Sequence, residues 1–174
     1  MTIRPILQYP DKRLRAKTRP VETIDESILR LLDDLAETMY AAPGVGVAAN
    51  QVGVPLRVAV IDILSPKGGR LIELINPRLL SKSDSVMWNE GCLSFPGITE
   101  EIERSAKVAV EALDRTGKPC RIEGIELLAI ALQHELDHLD GILLLDHLSY
   151  LRKRLVRRQL ARARDAEAEA GEET

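Results

Sequence analysis

The five residues His134-Glu135-Leu136-Asp137-His138 place two imidazoles four positions apart with a carboxylate between them. On a helix, positions i and i+4 share one face a turn apart, so both rings can grip one metal ion. Glu135 then stands where a general base is needed, beside water activated by that ion. The competing reading is a chance pair of histidines on a surface helix. Against it, the preceding turn, Leu127 to Leu132, is apolar. That puts the pair on a buried helix, where polar groups need partners.

A catalytic metal site takes three protein ligands and keeps one position open. The chain has only three histidines, so the third donor is His147, an acidic residue or a cysteine. His147 lies beyond the helix end expected at Gly141. Cys92 sits in Glu90-Gly91-Cys92-Leu93-Ser94, where Gly91 permits an unusual backbone angle. A lone cysteine is more often a small buried hydrophobe. Cys120, after a Gly-Lys-Pro turn, fits that description.

The elements that carry these residues follow from periodicity. Ile28, Leu31, Leu32, Leu35 and Met39 recur at helical spacing, with Asp25 as N-cap and Pro43-Gly44 at the exit. The segment Gly44-Val45-Gly46-Val47-Ala48-Ala49-Asn50-Gln51 reads as small and flexible. Arg57 to Leu64 alternates as a strand, with Val58, Val60 and Asp62 on one face. Leu71 to Ile75, Lys107 to Leu113 and Cys120 to Glu123 are further strands, the last two joined by a turn at Asp114–Pro119. Leu127 to Leu139 is a central helix, apolar nearly all round in its first half. About Tyr150 to Ala170 is a third helix, charged and rich in arginine. Strands mixed with a few helices, without regular βαβ alternation, predict an α+β fold of antiparallel sheets around the histidine-bearing helix, with a further C-terminal helix.

Composition sets bounds on function. A length of 174 residues without an internal repeat or linker favours one domain, 1–174, with 150–174 as its charged helix and acidic tail. Aromatic residues make up 3%, so the core must be built from Leu, Ile, Val and Ala. A net charge of -3 argues against a chain-wide nucleic-acid surface. The N-terminus lacks the apolar core of a signal peptide, and no apolar run approaches a membrane span of ~18 residues. Two cysteines do not make a secreted disulfide framework. A cytoplasmic protein with reduced thiols is expected, with no membrane partner. A monomer is the default for a chain of this size.

Three segments, in order, resemble the signature motifs of peptide deformylases. Gly44 to Gln51 is similar to the family's glycine-hydrophobic-glycine-hydrophobic-Ala-Ala-x-Gln. Glu90 to Ser94 matches the second motif and Gln133 to His138 the third. The likeness extends from about Ile6 to Leu151. It implies that Cys92, His134 and His138 hold one divalent metal, Fe2+ in the cell, with Zn2+, Ni2+ or Co2+ after purification. It implies that Glu135 moves the protons. Gln51 and the backbone N–H of Leu93 would hold the formyl oxygen as charge builds on it. The substrate would be the formyl-methionyl end of nascent polypeptides, whose formyl group is removed. The methionine side chain needs an apolar slot. Ile130 and Ala131 are candidates, with Val45, Leu93 and Leu127; the competing reading of each is plain core packing, which for Leu127 is at least as good. Gly44 and Gly46 let an extended peptide pair like an added strand. One departure is Thr99, a position where many deformylases carry arginine; it bears on the rim of the cleft, not on the chemistry.

Two rival classes share part of the pattern. A zinc endopeptidase also uses His-Glu-x-x-His, but usually takes its third ligand downstream. A non-catalytic metal-binding module would need neither Glu135 nor Gln51. At the C-terminus, Arg152, Lys153, Arg154, Arg157, Arg158, Arg162 and Arg164 precede Asp165, Glu167, Glu169, Glu172 and Glu173. A solvated helix is the plain reading. The family resemblance also suggests docking on ribosomal RNA phosphate, testable with a chain ending near Ser149.

Overall fold

The computed structural model describes residues 2–64 and 69–172. A five-stranded antiparallel sheet has the order β1-β2-β3-β6-β7, from β1 (Gly46–Ala48), β2 (Val58–Ile61), β3 (Ile72–Ser83), β6 (Lys107–Leu113) and β7 (Pro119–Ile125). A separate hairpin pairs β4 (Val86–Cys92) with β5 (Phe95–Arg104). Among the described residues the α-helices are α1 (Glu26–Ala41), α2 (Glu126–Leu139) and α3 (Tyr150–Glu172). This is the expected α+β architecture. Glu173 lies outside the described residues, as do the side chains of Glu167, Glu169 and Glu172.

Alternation along the strands gives the sheet two apolar faces. Ala59 and Ile61 of β2 join Leu74, Val108 and Val110 in one core, which α2 covers with Leu132, Leu136 and Leu139. Val58 and Val60 face the other way, where α1 covers them with Leu31, Leu32, Leu35 and Met39. A helix on each side explains why β2 is buried at every position. α1 starts where Asp25 caps it, its carboxylate accepting from the backbone N–H of Ser27 and Ile28. α2 stops at Gly141, whose φ of +74° an L side chain rarely adopts and whose place a Cβ would contest at 2.5 Å from the Arg15 carbonyl oxygen. A third core lies under the hairpin, where Phe95, Ile98 and Ile102 meet Leu143–Leu145, Val156 and Leu160.

Several elements differ from expectation. The segment 44–51 is ordered into β1 and a 3-10 turn at Ala49–Val52, and Val47 to Gln51 are buried. The strand after Arg57 ends at Ile61, and β3 runs on to Ser83, well past Ile75. The β4–β5 hairpin is absent from the periodicity reading, yet it carries Cys92.

Candidate active site

Cys92 ends β4, while His134 and His138 stand on the inner face of α2. Cys92 Sγ lies 3.2 Å from His138 Nε2, which lies 3.2 Å from His134 Nε2. One donor atom from each residue falls within 4.8 Å of the others. Among the described residues this is the one His/Cys/Asp/Glu group so arranged. His147 points elsewhere, its Nε2 on Asp137 at 2.7 Å. Cys120 lies on β7, its thiol donating to the Ala112 carbonyl.

The donor set fits a divalent cation. Burial alone would lower the His134 pKa, yet the Cys92 sulfur, Glu90 and Glu135 outweigh it and hold it well above the usual range. His138, the more deeply buried of the two, is held well below its usual value, first by that burial and then by the charge on His134. The Cys92 sulfur, Glu90 and Glu135 thus favour a positive charge at this place, and one thiol with two imidazoles is a donor set that suits a divalent cation.

Around the cluster are three further groups. Glu135 is buried, its Oε2 has no hydrogen-bond partner, and burial pushes its pKa up to about 7. Gln51 Oε1 accepts from the Ala48 backbone N–H at 2.9 Å, which turns Nε2 toward Ser94 Oγ at 3.1 Å and Cys92 Sγ at 3.8 Å. The amide thus presents its donor to the cluster. Leu93 is at the hairpin tip, so close to Gly44 that a Cβ there would lie 2.7 Å from Leu93 Cδ1. A Cβ on Gly46 would lie 2.5 Å from Glu135 Oε1. Both glycines thus leave room for side chains of the site itself, which a Cβ at either position would displace, whatever a substrate adds.

A cavity of about 860 Å³ opens on these residues. Gly44, Val45 and Gly46 line one side, Leu93 the hairpin side, and Leu127, Ile130 and Ala131 the α2 side. The structure thus brings all of the sequence-predicted site residues except His138 to one cavity, with His138 immediately behind.

Periodicity and motif matching give no role to the residues that brace the candidate ligands. Glu90 Oε2 meets His134 Nδ1 at 2.9 Å, fixing which ring nitrogen faces the cluster. Arg104 grips Glu90 at 2.6 and 3.0 Å and Asp137 at 2.6 Å. Burial would raise the Glu90 pKa, but hydrogen bonds from His134 and Arg104 pull it down to about 2. Asn50 donates to the His138 carbonyl and ties the segment after β1 to the last turn of α2. An acid beside Gly91-Cys92 hints at Glu90, whereas Arg104 sits in a run that looks like solvated charge.

Fold and cluster together define a metal-dependent hydrolase with a His-Glu-x-x-His helix at its centre. The chain belongs to the polypeptide deformylase family, whose model matches residues 3–154. It is 47% identical over 160 residues to a peptide deformylase of Alkalilimnicola ehrlichii, covering 92% of this chain and 90% of that one. A crystal structure of a peptide deformylase from Legionella pneumophila superposes with a TM-score of 0.92 at 48% identity, covering 96% of this chain and 98% of that one. A peptide deformylase from Ehrlichia chaffeensis in complex with actinonin gives 0.87 at 38% identity, covering 94% and 98%. The endopeptidase and binding-module readings are not favoured.

Proposed function

We propose that the chain removes the formyl group from the formyl-methionyl end of nascent polypeptides, with Cys92, His134 and His138 as ligands of one divalent metal. The observation that carries this reading is the convergence of one thiol and two imidazoles beside a buried carboxylate oxygen without a partner. When bound, the metal lowers the pKa of a coordinated water to about 7 and polarises the formyl carbonyl. Glu135 would take a proton from the attacking water and pass one to the leaving amine, and burial, which raises its carboxyl pKa, suits the proton-donating half of that role. Gln51 Nε2 and the backbone N–H of Leu93 donate to the formyl oxygen as it gains charge. Glu90 holds His134 in register. The peptide lies along the Gly44–Gly46 edge like an added strand, with its methionine side chain against Val45, Leu127, Ile130 and Ala131.

A Cys-His-His set suits several metals, and the family resemblance points to Fe2+ in the cell, replaced by Zn2+, Ni2+ or Co2+ on purification. The protein acts as a cytoplasmic monomer and a single domain, residues 1–174. No helix among the described residues is long and apolar enough to cross a membrane. The arginines of α3 support a second reading, docking on ribosomal RNA. Arg154, Arg157, Arg158, Arg162 and Arg164 are all exposed.

Release of formate from formyl-Met-Ala, with and without chelator, tests the activity. Chelator-sensitive release is expected. Cleavage of an internal peptide bond without formate would indicate an endopeptidase, and no reaction a binding module.

A further inference from the structure

Charged side chains are few along the cavity: Arg4, Glu90, His134 and Glu135. Three of these belong to the metal end, and Glu90 is already held by Arg104 and His134. Arg4 is thus the single Lys or Arg side chain lining the cavity among the described residues. We infer that Arg4 is a specificity-determining residue, which receives a carboxylate on the substrate downstream of formyl-methionine. The inference rests on the deformylase reading and extends it to a preferred class of peptide.

Arg4 is held in place rather than free to swing. Its backbone N–H donates to Thr38 Oγ1 at 2.9 Å, and that hydroxyl donates to the Asp34 carbonyl at 2.7 Å. Its Nε and Nη2 both reach Asp34 Oδ2, at 2.9 and 2.8 Å, while Asp34 Oδ1 accepts from the Thr2 N–H. Guanidinium carries five N–H donors. Asp34 engages one oxygen with two nitrogens, and Nη1 has no hydrogen bond among the described residues. The Arg4 side chain is 35% exposed and that of Asp34 12%, so the open part of the pair is the donor side. A planar fork held from behind is pre-organised for a second carboxylate.

Its position suits the outer part of a bound peptide. Thr38, Ala41 and Ala42 line the cavity from the end of α1, and the chain then leads through Pro43 to the Gly44–Gly46 edge beside Glu135. Ala42 and Gly46 are separated by at most roughly 14 Å of chain. An extended peptide starting at the metal end covers that span within about four residues. Thr99, on the hairpin side of the same cavity, carries no charge to compete. The carboxylate is either an acidic side chain or the C-terminus of a short peptide, and Asp34 keeps the effect to that of a partly exposed ion pair.

Formate release gives the test. Amidated formyl-Met peptides carry Glu, Gln or Lys at the second, third or fourth residue, and a parallel set ends in a free carboxylate. The wild-type chain should favour Glu over Lys at one of these positions by about two- to fivefold, the range an exposed pair supports, through KM rather than kcat. Salt should erode the preference. Arg4→Gln with Asp34→Asn removes both charges together and should flatten it, while Arg4→Lys should keep part of it. A preference confined to free-acid peptides assigns the site to the chain end; one seen in amidated peptides assigns it to a side chain. A flat wild-type profile, or an unchanged Glu-to-Lys ratio in the double variant, overturns the inference while leaving deformylation intact. No formate from an amidated all-alanine formyl-Met peptide would instead remove the deformylase reading and this inference with it.

Discussion

Glu135 and Gly46 work as one unit at the scale of single residues. The carboxylate occupies the space that a Cβ on Gly46 would need, 2.5 Å from Oε1. Gly46→Ala must therefore displace the mobile end of a side chain, not the backbone. The variant should fold and keep its metal while kcat falls toward that of Glu135→Gln, a loss of about 10²–10⁴-fold for a missing general base. Metal content and kcat measured together check this; parental turnover in Gly46→Ala would show that the base is not positioned from that side. Glu90 supports a pH prediction. Its carboxyl titrates at about 2 in the fold against an ordinary 4.5, so the pairing stabilises the protein above 4.5 and is lost as pH falls from there toward 2. The shift corresponds to roughly 3 kcal/mol. Urea midpoints measured in chelator across that window should fall more steeply for the wild type than for Glu90→Gln, and parallel curves would remove the assignment.

Helix α3 and the hairpin are joined more closely than the charge pattern of α3 suggests. Arg152 is paired with the buried Glu100 of β5 at 2.6 and 3.0 Å, and Val156 and Leu160 are 1% and 4% exposed in the core under the hairpin. Ending the chain near Ser149 thus strips part of a core whose other wall carries Cys92. Each buried apolar side chain lost costs about 1.5–3 kcal/mol. A chain ending at Ser149 should show a lowered Tm and weaker metal retention, whereas one ending at Ala161 should keep both and still lose Arg162 and Arg164. Equal Tm values for the two would mean that α3 is only an appendage. The legibility of the elements follows the same physics. α1 and α2 were readable because apolar residues mark one face or most of the helix, and β2 because its period is two. β5 also alternates, with Ile98, Glu100, Ile102 and Arg104 turned inward. Two of those four are charged and buried only because Arg152, Glu90 and Asp137 neutralise them, so the strand does not look like one in sequence. The two histidines and Glu135 stood out by residue type and spacing, and Cys92 only through the resemblance to deformylases; the groups that brace them, which depend on contacts across the fold, were not legible.

At the scale of the whole molecule, the site joins parts that fold around different cores. Cys92 belongs to the hairpin, the two histidines to α2 against the sheet, and Gln51 to the turn after β1, between the sheet and the hairpin. Hydrogen bonds cross these boundaries at Gln51–Ser94, Asn50–His138 and Glu90–His134, but each is local. On the proposed ligand set, a cation held by Cys92, His134 and His138 would link hairpin to helix directly, and it would bind the folded state because the unfolded chain does not bring these residues together. Binding therefore adds stability that grows with metal concentration, about 2.7 kcal/mol at a free concentration ~100 times Kd. For a chain of this length that moves Tm by about 5–10 °C. Adding chelator to wild-type protein should lower Tm by that amount, and restoring the metal should reverse it. Cys92→Ala should have a Tm close to that of the chelated protein and respond little to either treatment. Cys120→Ala should respond as the wild type does, because its thiol bonds only to the Ala112 carbonyl on the neighbouring strand. If the Cys120 variant loses the metal response and the Cys92 variant retains it, the third ligand has been assigned to the wrong cysteine.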